Sequence, residues 1–212
     1  MRENRLANGP CPISTDGCMK LVVASNNAKK RTEIAVILAV LGIELVTAED
    51  TIFIDVVEDA DTFAGNAQKK AEAFAAANNC AAIADDSGLC VDVLKGAPGV
   101  YSARFAGESA TDADNNLKLL NALAGHANRA AHFICHLHLA FPNDDTSLQA
   151  EGRVSGDILE QASGVSGFGY DPLFFCPELG KAFADCTPAE KASVSHRGRA
   201  LRQLAERLKE YV

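Results

Sequence analysis

The stretch Ala82–Val93, AIADDSGLCVDV, brings an apolar run directly to two adjacent carboxylates. Like charges that lie side by side repel each other and lose hydration near a core, so Asp85 and Asp86 need a partner of opposite charge. Ser87 and Gly88 follow at once, and we expect the strand to end at the carboxylates and turn there. The stretch therefore predicts a cation at the end of a buried strand.

The composition is that of a globular protein with a sizeable core. The chain has 212 residues, of which 48% are hydrophobic and 23% charged, which suits one domain or two tightly merged lobes. A net charge of −8 argues against nucleic acid or an anionic membrane as the main partner. The longest apolar run, Ile34–Leu41, is shorter than the ~18 residues of a membrane span. Residues 1–19 lack the apolar region of a secretion signal, so we expect a cytoplasmic protein.

Residues 1–19 are rich in polar residues, and we expect them to form a flexible leader ahead of a single domain over 20–212. The seven cysteines are scattered and contain no CxxC pair, which favours reduced and mostly buried thiols. Cys11 and Cys18 in the leader could pair on oxidation.

Strand and helix signals alternate along the chain, which predicts an α/β fold with a sheet covered by helices. The predicted strands are Lys20–Ser25, Ile43–Val46, the opening stretch, Ala131–Phe141, Ser147–Val154 and Leu173–Cys176. The first predicted helix is capped by Asn27 and runs to Leu41, with Gly42 just after its end. The next two run from Asp61 or Thr62 to Asn78 and from Thr111 to Leu123. A fourth helix starts at Thr187, and the terminal helix has an apolar face of Leu201, Leu204, Leu208 and Tyr211.

The first phosphate-type signal is ASNNAKK, Ala24–Lys30, at a predicted strand-to-helix junction. Such a junction offers backbone N–H groups and a positive helix end to an anion, and Lys29 or Lys30 would add full charge. The segment is not a Walker loop, because no GxxxxGK[ST] occurs. An Asn-capped helix with solvated lysines is the alternative.

The second signal is the predicted helix TFAGNAQKKAEAF, in which Asn66 and Lys70 are four residues apart and share a face. VEDAD, Val57–Asp61, lies just before it and supplies further carboxylates. These carboxylates and the Asp85–Asp86 pair could hold Mg²⁺, which prefers oxygen ligands and substrate phosphates. A solvated acidic loop is the alternative.

The third signal is GVSGFGYDP, Gly164–Pro172, with three glycines that allow close approach of the backbone to a ligand. Phe168 and Tyr170 alternate beside Asp171, and an aromatic face next to a carboxylate suits a nucleobase. The segment is not a GxSxG nucleophile elbow. A plain glycine turn is the alternative.

A fourth segment, KASVSHRG, groups Lys191, His196 and Arg197 just before the predicted terminal helix. These side chains donate hydrogen bonds to keto or phosphate oxygens. By contrast, His136 and His138 alternate with apolar residues on one strand, which we interpret as an exposed strand face; metal binding is the alternative.

Five segments together resemble the inosine triphosphate pyrophosphatases, which act on non-canonical purine nucleoside triphosphates. They are SNNAKK (Ser25–Lys30), NAxxKA (Asn66–Ala71), the block Ile83–Gly107, GFGYDPLF (Gly167–Phe174) and EKxxxSHRGxAL (Glu190–Leu201). The resemblance extends in unbroken order from about Lys20 to the C-terminus. It implies an elongated mixed β-sheet flanked by helices, two lobes with the active site in the cleft between them, and a homodimer.

The resemblance also implies a reaction. The family hydrolyses inosine, deoxyinosine and xanthosine triphosphates (ITP, dITP and XTP) with Mg²⁺, giving the monophosphate and pyrophosphate, and so cleanses the nucleotide pool. A purine nucleoside triphosphate is then the partner of this chain, with neither nucleic acid nor membrane. A Mg²⁺-dependent phosphatase that releases orthophosphate, or a nucleotide-binding protein without catalysis, are the alternatives.

Site residues follow from the resemblance by position. Asp86 would activate the attacking water, and Glu58 and Asp86 would bind the metal. The substrate would contact three groups of residues: Ser25, Asn26, Asn27, Ala28, Lys29, Lys30 and Lys70 at the phosphates; Ser87; and Phe168, Gly169, Tyr170, Asp171, Lys191, His196 and Arg197 around the base.

This chain departs from the family pattern at several positions. Asn26 and Lys29 stand where the first loop usually carries glycines, and Gly65 replaces a usual acidic residue. VEDAD leaves open whether Glu58 or Asp59 meets the metal. The roles of Asp85 and Asp86 also stay open, although we prefer Asp86 as the base.

Overall fold

The computed structural model describes residues 20–40, 43–144 and 146–211, with residues 210 and 211 described by their backbone alone. The predicted leader with Cys11 and Cys18, the predicted helix end at Leu41 and Gly42, and the side chain of Tyr211 lie outside this part of the chain.

A mixed seven-stranded sheet flanked by helices forms the framework, as predicted for the α/β class, in the order β2-β1-β3-β4-β5-β6-β7. Strand β1 pairs in parallel with β2 and β3, whereas β6 is antiparallel to β5 and β7. The strands are β1 (Lys20–Val23), β2 (Glu44–Leu45), β3 (Ala82–Val91), β4 (Ala130–Ala140), β5 (Ser147–Ile158), β6 (Phe174–Cys176) and β7 (Lys181–Ala182). The α-helices are α1 (Ala28–Val40), α2 (Phe63–Asn78), α3 (Asp112–Ala122), α4 (Pro188–Val194) and α5 (His196–Tyr211). Among the described residues, no helix is both long and apolar enough to cross a membrane.

The predicted helix starts are confirmed by their caps. Thr62 accepts a hydrogen bond from the Gly65 N–H at the start of α2. Thr111 and Thr187 each form a complete capping box, at the starts of α3 and α4. These local contacts depend on residues at most three positions apart, which explains why the sequence alone indicates them.

The chain divides into two compact units. The first comprises residues up to Asp86, His136–Glu151, and residues from Ala200 onward; the second comprises Ser87–Cys135 and Gly152–Arg199. The division falls between the carboxylate Asp86 and the next residue, Ser87.

Each unit has its own apolar core. In the first unit, small side chains of α2 (Ala67, Ala71 and Ala75) are buried with Phe74. In the second unit, the ring of Phe174 lies 4.7 Å from that of Phe133 and 4.9 Å from that of Phe183. The free cysteines of the described residues follow the prediction: Cys80, Cys135, Cys176 and Cys186 are buried and Cys90 is partly buried.

The prediction that β3 ends at Asp85 and Asp86 is wrong. β3 continues to Val91, and in the second unit the fully buried Leu89 donates its N–H to Ser102 Oγ at 2.9 Å. What ends near the carboxylates is β1, which pairs with β3 through Val23 and Ile83. Beyond the carboxylates, Leu89 and Val91 alternate as buried strand residues. The sequence predicts a turn in this place.

The interpretation of an exposed histidine face on β4 is wrong for His138. His138 is only 2% exposed, and neither ring nitrogen has a hydrogen-bond partner among the described residues. Burial lowers the pKa of His138, with a small opposing effect of Glu72. His136 is half-buried, stacks on Phe63 and lies with Nε2 3.1 Å from Glu151. Within the described ranges, no cluster of three or more His, Cys, Asp or Glu side chains could hold a metal.

We expect His138→Leu to reduce the loss of stability in mild acid. The unfolded chain takes up the His138 proton below its ordinary pKa of 6.5, whereas the folded chain does so only at lower pH. Wild-type stability therefore falls as the pH drops through that window. Urea unfolding at pH 7.5 and 5.5 should show a larger loss for wild type than for the variant. Equal losses would mean that His138 is readily protonated in the folded protein.

Candidate active site

The junction of β1 and α1 is built around Asn27. Its side chain accepts hydrogen bonds from the N–H groups of Lys29 and Lys30 at 3.0 and 3.1 Å, and its own N–H donates to Ser25 Oγ at 3.2 Å. Asn27 is therefore the predicted helix cap, and the side chain satisfies two of the N–H groups that a phosphate could have used. The Lys29 side chain is exposed, whereas that of Lys30 is only 17% exposed.

Asn26 holds the acidic segment next to this junction. Its Nδ2 donates to the Ile54 carbonyl at 3.2 Å and to Asp55 Oδ1 at 2.9 Å. The structure thus gives the Asn26 side chain a contact with the segment that leads to Glu58. From the sequence, Asn26 is predicted to be a substrate contact, and this contact with the acidic segment is not predicted.

Three carboxylates and two ammonium groups form what we call the carboxylate–lysine cluster of the first unit: Lys30, Glu58, Lys70, Asp85 and Asp86. Lys70 Nζ lies 2.7 Å from Glu58 Oε2 and 3.9 Å from Asp86 Oδ1. Lys30 Nζ lies 3.4 Å from Asp85 Oδ2. Asp85 is 1% and Asp86 7% exposed. Segments that are distant in sequence thus meet here, and their lysines give Asp85 and Asp86 partners of opposite charge.

Asn66 joins the two acidic parts of this cluster. Its Nδ2 donates to Asp86 Oδ2 at 3.0 Å, and its Oδ1 accepts from the Ala60 N–H at 2.9 Å. Asn66 is 2% exposed; its contact with Asp86 is buried, and its contact with Ala60 is partly buried. Sequence reasoning placed Asn66 on the face of Lys70 but did not include it in the site; the four-residue spacing was the available signal.

The cluster is a partly buried set of charges of both signs, in which Asp85, Asp86 and Lys70 are the buried members. Burial raises the pKa of Asp86, against the opposite effects of Lys70, Lys30 and the hydrogen bond from Asn66. Burial acts to lower the pKa of Lys70, but the neighbouring carboxylates outweigh it and leave that pKa raised. Lys70 is therefore held as an ammonium ion.

Because no three acidic or histidine side chains of the described residues are arranged around a metal, this cluster could offer a cation only one or two carboxylates. The cluster carries three carboxylates against two ammonium groups, so one formal negative charge is left for a cation. Mg²⁺ usually takes one or two protein carboxylates and completes its shell with water and phosphate oxygens. Glu58 and Asp86 share contact with Lys70. Asp59 is instead paired with the half-exposed Lys69, which favours Glu58 over Asp59.

The second unit contains a cluster that we call the base cluster: Ser87, Phe168, Asp171, Lys191, His196 and Arg197. Lys191 Nζ lies 2.6 Å from Asp171 Oδ2 and 4.9 Å from the centre of the Phe168 ring.

Arg197 is 1% exposed; its guanidinium donates to Ser87 Oγ at 3.0 Å and lies 5.9 Å from the Phe168 ring. His196 stacks on Phe133 at 4.8 Å.

The structure changes the predicted placement of the KASVSHRG segment. Lys191 lies within α4, while His196 and Arg197 form the first turn of α5 and do not precede it. Ser195, between the helices, accepts a hydrogen bond from the Gly198 N–H through its Oγ at 3.1 Å. Because the chain breaks at Ser195, Lys191 comes from one helix and His196 and Arg197 from the next. The spacing of these residues in the sequence does not predict this break.

The glycine-rich segment folds closely around Asp171. A Cβ on Gly167 would lie 2.2 Å from Asp171 Oδ2, and Gly167 has φ +79°. The same carboxylate oxygen accepts the Phe168 N–H at 2.8 Å. Tyr170, which the sequence predicts beside the base, is 4% exposed and donates its hydroxyl to the Ser102 carbonyl at 2.9 Å. Its side chain therefore anchors the segment.

An α/β sheet that carries buried lysines and carboxylates in one unit and a cationic, aromatic cluster in the other defines a protein of the nucleotide-binding class. Comparison with known proteins makes the assignment specific. The Ham1 family profile matches residues 21–207. The chain is 50% identical over 191 residues to the dITP/XTP pyrophosphatase of Desulforamulus reducens, covering 89% of this chain and 94% of that protein.

Solved structures agree with this. The Ham1 protein of Coxiella burnetii is 39% identical, with a TM-score of 0.81 over 91% of this chain and 99% of that chain. The Ham1 protein of Staphylococcus aureus is 40% identical, with a TM-score of 0.79 over 91% of this chain and 100% of that chain. The chain belongs to the Ham1 family.

Proposed function

We propose that this chain hydrolyses ITP, dITP and XTP to the monophosphate and pyrophosphate. The observation that carries the proposal is the carboxylate–lysine cluster, in which buried Asp86 lies beside Lys70 and Asn66. Identity of 50% to a dITP/XTP pyrophosphatase supports the choice of substrate. A protein that only binds nucleotides would have no need for a buried carboxylate aligned by an amide and an ammonium group.

The three carboxylates of the carboxylate–lysine cluster have different roles in this proposal. Glu58 and Asp86 would hold Mg²⁺, which when bound supplies positive charge to the phosphate oxygens. Asp86 is also the group that accepts the proton of the attacking water, because Asn66 fixes one of its oxygens by a 3.0 Å hydrogen bond. Asp85 is paired with Lys30 and keeps that lysine in place.

The basic side chains stabilise the leaving group. Lys30 and Lys70 neutralise the charge that develops on pyrophosphate as its bond to the α-phosphorus breaks. The ordered carboxylates hold both ammonium groups before substrate arrives, so little reorganisation is needed during the reaction. Ser25 and the β1–α1 junction contribute polar groups to the same phosphates.

The base cluster selects the purine. Hypoxanthine and xanthine present a keto oxygen at position 6, where adenine presents an amino donor. Lys191, His196 and Arg197 offer donors, so they pair with the oxygen but meet the amino group of adenine donor to donor. Phe168 provides the aromatic face for stacking.

We expect a strong preference for dITP over dATP. An unpaired buried polar group costs ~1–3 kcal/mol, or roughly tenfold to hundredfold in kcat/KM per contact. His196→Ala or Arg197→Ala should reduce the preference by lowering activity on dITP, while Arg199→Ala should not, because Arg199 pairs with the half-exposed Glu178. Steady-state kinetics with both nucleotides measure this. Full preference in both cluster variants would remove them from base selection.

Product analysis with dITP and Mg²⁺ distinguishes the proposed function from its rivals. We expect dIMP and pyrophosphate in equal amounts. Orthophosphate as the first product would indicate a phosphatase, and tight binding without turnover would indicate a protein that only binds nucleotides. The family resemblance also leads us to propose a cytoplasmic homodimer, for which light scattering of the purified protein gives the mass.

A further inference from the structure

We propose that Asp112 and Asn116 of α3 are positioning residues that fix the peptide groups on both sides of Gly169, next to Phe168, and so set the affinity for the purine base. The proposal rests on the proposed function, in which Phe168 stacks on that base. No residue of α3 belongs to the base cluster, and none was a candidate from the sequence.

The geometry is a clamp on one glycine. The Gly169 N–H donates to Asp112 Oδ2 at 2.9 Å, and Asn116 Nδ2 donates to the Gly169 carbonyl at 3.0 Å. Asp112 and Asn116 are four residues apart, so they project from the same face of α3. Both polar groups of Gly169, which has φ +60°, are thus satisfied by one helix.

The clamp completes the restraint on Phe168. On its N-terminal side, the Phe168 N–H is held by Asp171 at 2.8 Å. On its C-terminal side, Asp112 and Asn116 hold the next residue, Gly169. The direction of the Phe168 ring depends on the peptides at both ends, so loosening either one lowers the population of the stacking orientation.

When the Asn116 amide donates to Gly169, its own side-chain oxygen is left without a partner among the described residues. Its Oδ1 is buried and, within the part of the chain that the structure describes, has no hydrogen-bond partner. The reversed amide would point that oxygen at the Gly169 carbonyl, so the observed orientation is the favourable one. A buried acceptor without a partner is destabilising, and an apolar side chain at 116 would avoid it. Stability alone therefore does not explain an asparagine here.

Four variants separate positioning from structural support. Asn116→Leu and Asp112→Ala remove the donor and the acceptor, whereas Asp112→Asn keeps an acceptor oxygen. Asp114→Ala is the matched control: Asp114 closes the capping box of the same helix with Thr111 and has no contact with Gly169. Each variant is assayed for KM with dITP, for inhibition by inorganic tripolyphosphate, for dIMP affinity by calorimetry, and for Tm.

For Asn116→Leu and Asp112→Ala we expect KM for dITP and Kd for dIMP to rise about three- to tenfold, as for the loss of a hydrogen bond. Inhibition by tripolyphosphate, which has no base, should stay within about twofold. Asp112→Asn should resemble wild type. Asp114→Ala should lower Tm and leave KM and both affinities unchanged.

Other results would overturn the proposal. Unchanged KM and dIMP affinity in Asn116→Leu would show that the clamp does not act on the base, whatever its Tm. An equal loss of tripolyphosphate inhibition would show a general effect of α3. If wild type fails to hydrolyse dITP, the proposed function fails, and the dIMP affinities still decide whether the clamp acts on the base.

Discussion

Asp86→Asn should lower kcat for dITP by ~10²–10⁴-fold, the usual effect of losing a general base. The substitution keeps the shape of the side chain but removes the group that accepts the proton of water. It also removes a charge from the carboxylates that would hold Mg²⁺. Burial raises the pKa of Asp86 and so disfavours its charged form, and Lys70 keeps Glu58 as a partner in the variant, so the variant should fold.

Asp59→Asn is the control for this substitution. Asp59 lies one residue after Glu58 but is paired with the half-exposed Lys69, so its loss should leave kcat within about twofold of wild type. Circular dichroism and Tm establish that both variants fold. Turnover of Asp86→Asn within threefold of wild type would remove Asp86 from the role of base.

Lys70→Met should raise KM for dITP and lower kcat, together reducing kcat/KM by ~10²-fold or more. Methionine keeps the length and apolar stem of lysine but leaves Glu58 and Asp86 without their ammonium partner. The same change should also lower the free energy of unfolding, because it leaves the buried carboxylate of Asp86 without its ammonium partner. Triphosphate binding should suffer more than nucleoside binding.

Lys69→Met provides the matched comparison. Lys69 is the adjacent residue on α2, its side chain is 48% exposed, and it pairs with Asp59 outside the cluster. Kinetics with dITP, competition by inosine, and urea unfolding on both variants separate charge at the phosphates from support of the fold. Equal losses of triphosphate and inosine affinity in Lys70→Met would contradict a role at the phosphates.

The sequence predicted those parts of the fold that depend on near neighbours. The capping residues Asn27, Thr62, Thr111 and Thr187 act on N–H groups two or three positions away, and all four begin helices as expected. The terminal helix buries Leu201, Leu204 and Leu208, as its spacing indicated.

The remaining features depend on contacts between distant segments. β3 passes beyond Asp86 because Leu89 and Val91 are buried in the second unit, which a local run of Ser and Gly does not reveal. Tyr170 and Phe168 look equivalent in sequence, but only the Tyr170 hydroxyl finds the Ser102 carbonyl, 68 positions away. Glu58 and Asp59 are likewise distinguished only by which lysine of α2 each one meets.

Hydrolysis of dITP in ¹⁸O-labelled water tests the central claim most directly. If Asp86 activates water for attack at the α-phosphorus, with Lys30 and Lys70 stabilising the pyrophosphate that leaves, then one ¹⁸O atom appears in dIMP and none in pyrophosphate. Mass spectrometry of the two products measures how many ¹⁸O atoms each one contains. Label in pyrophosphate, or orthophosphate as the first product, would contradict the account.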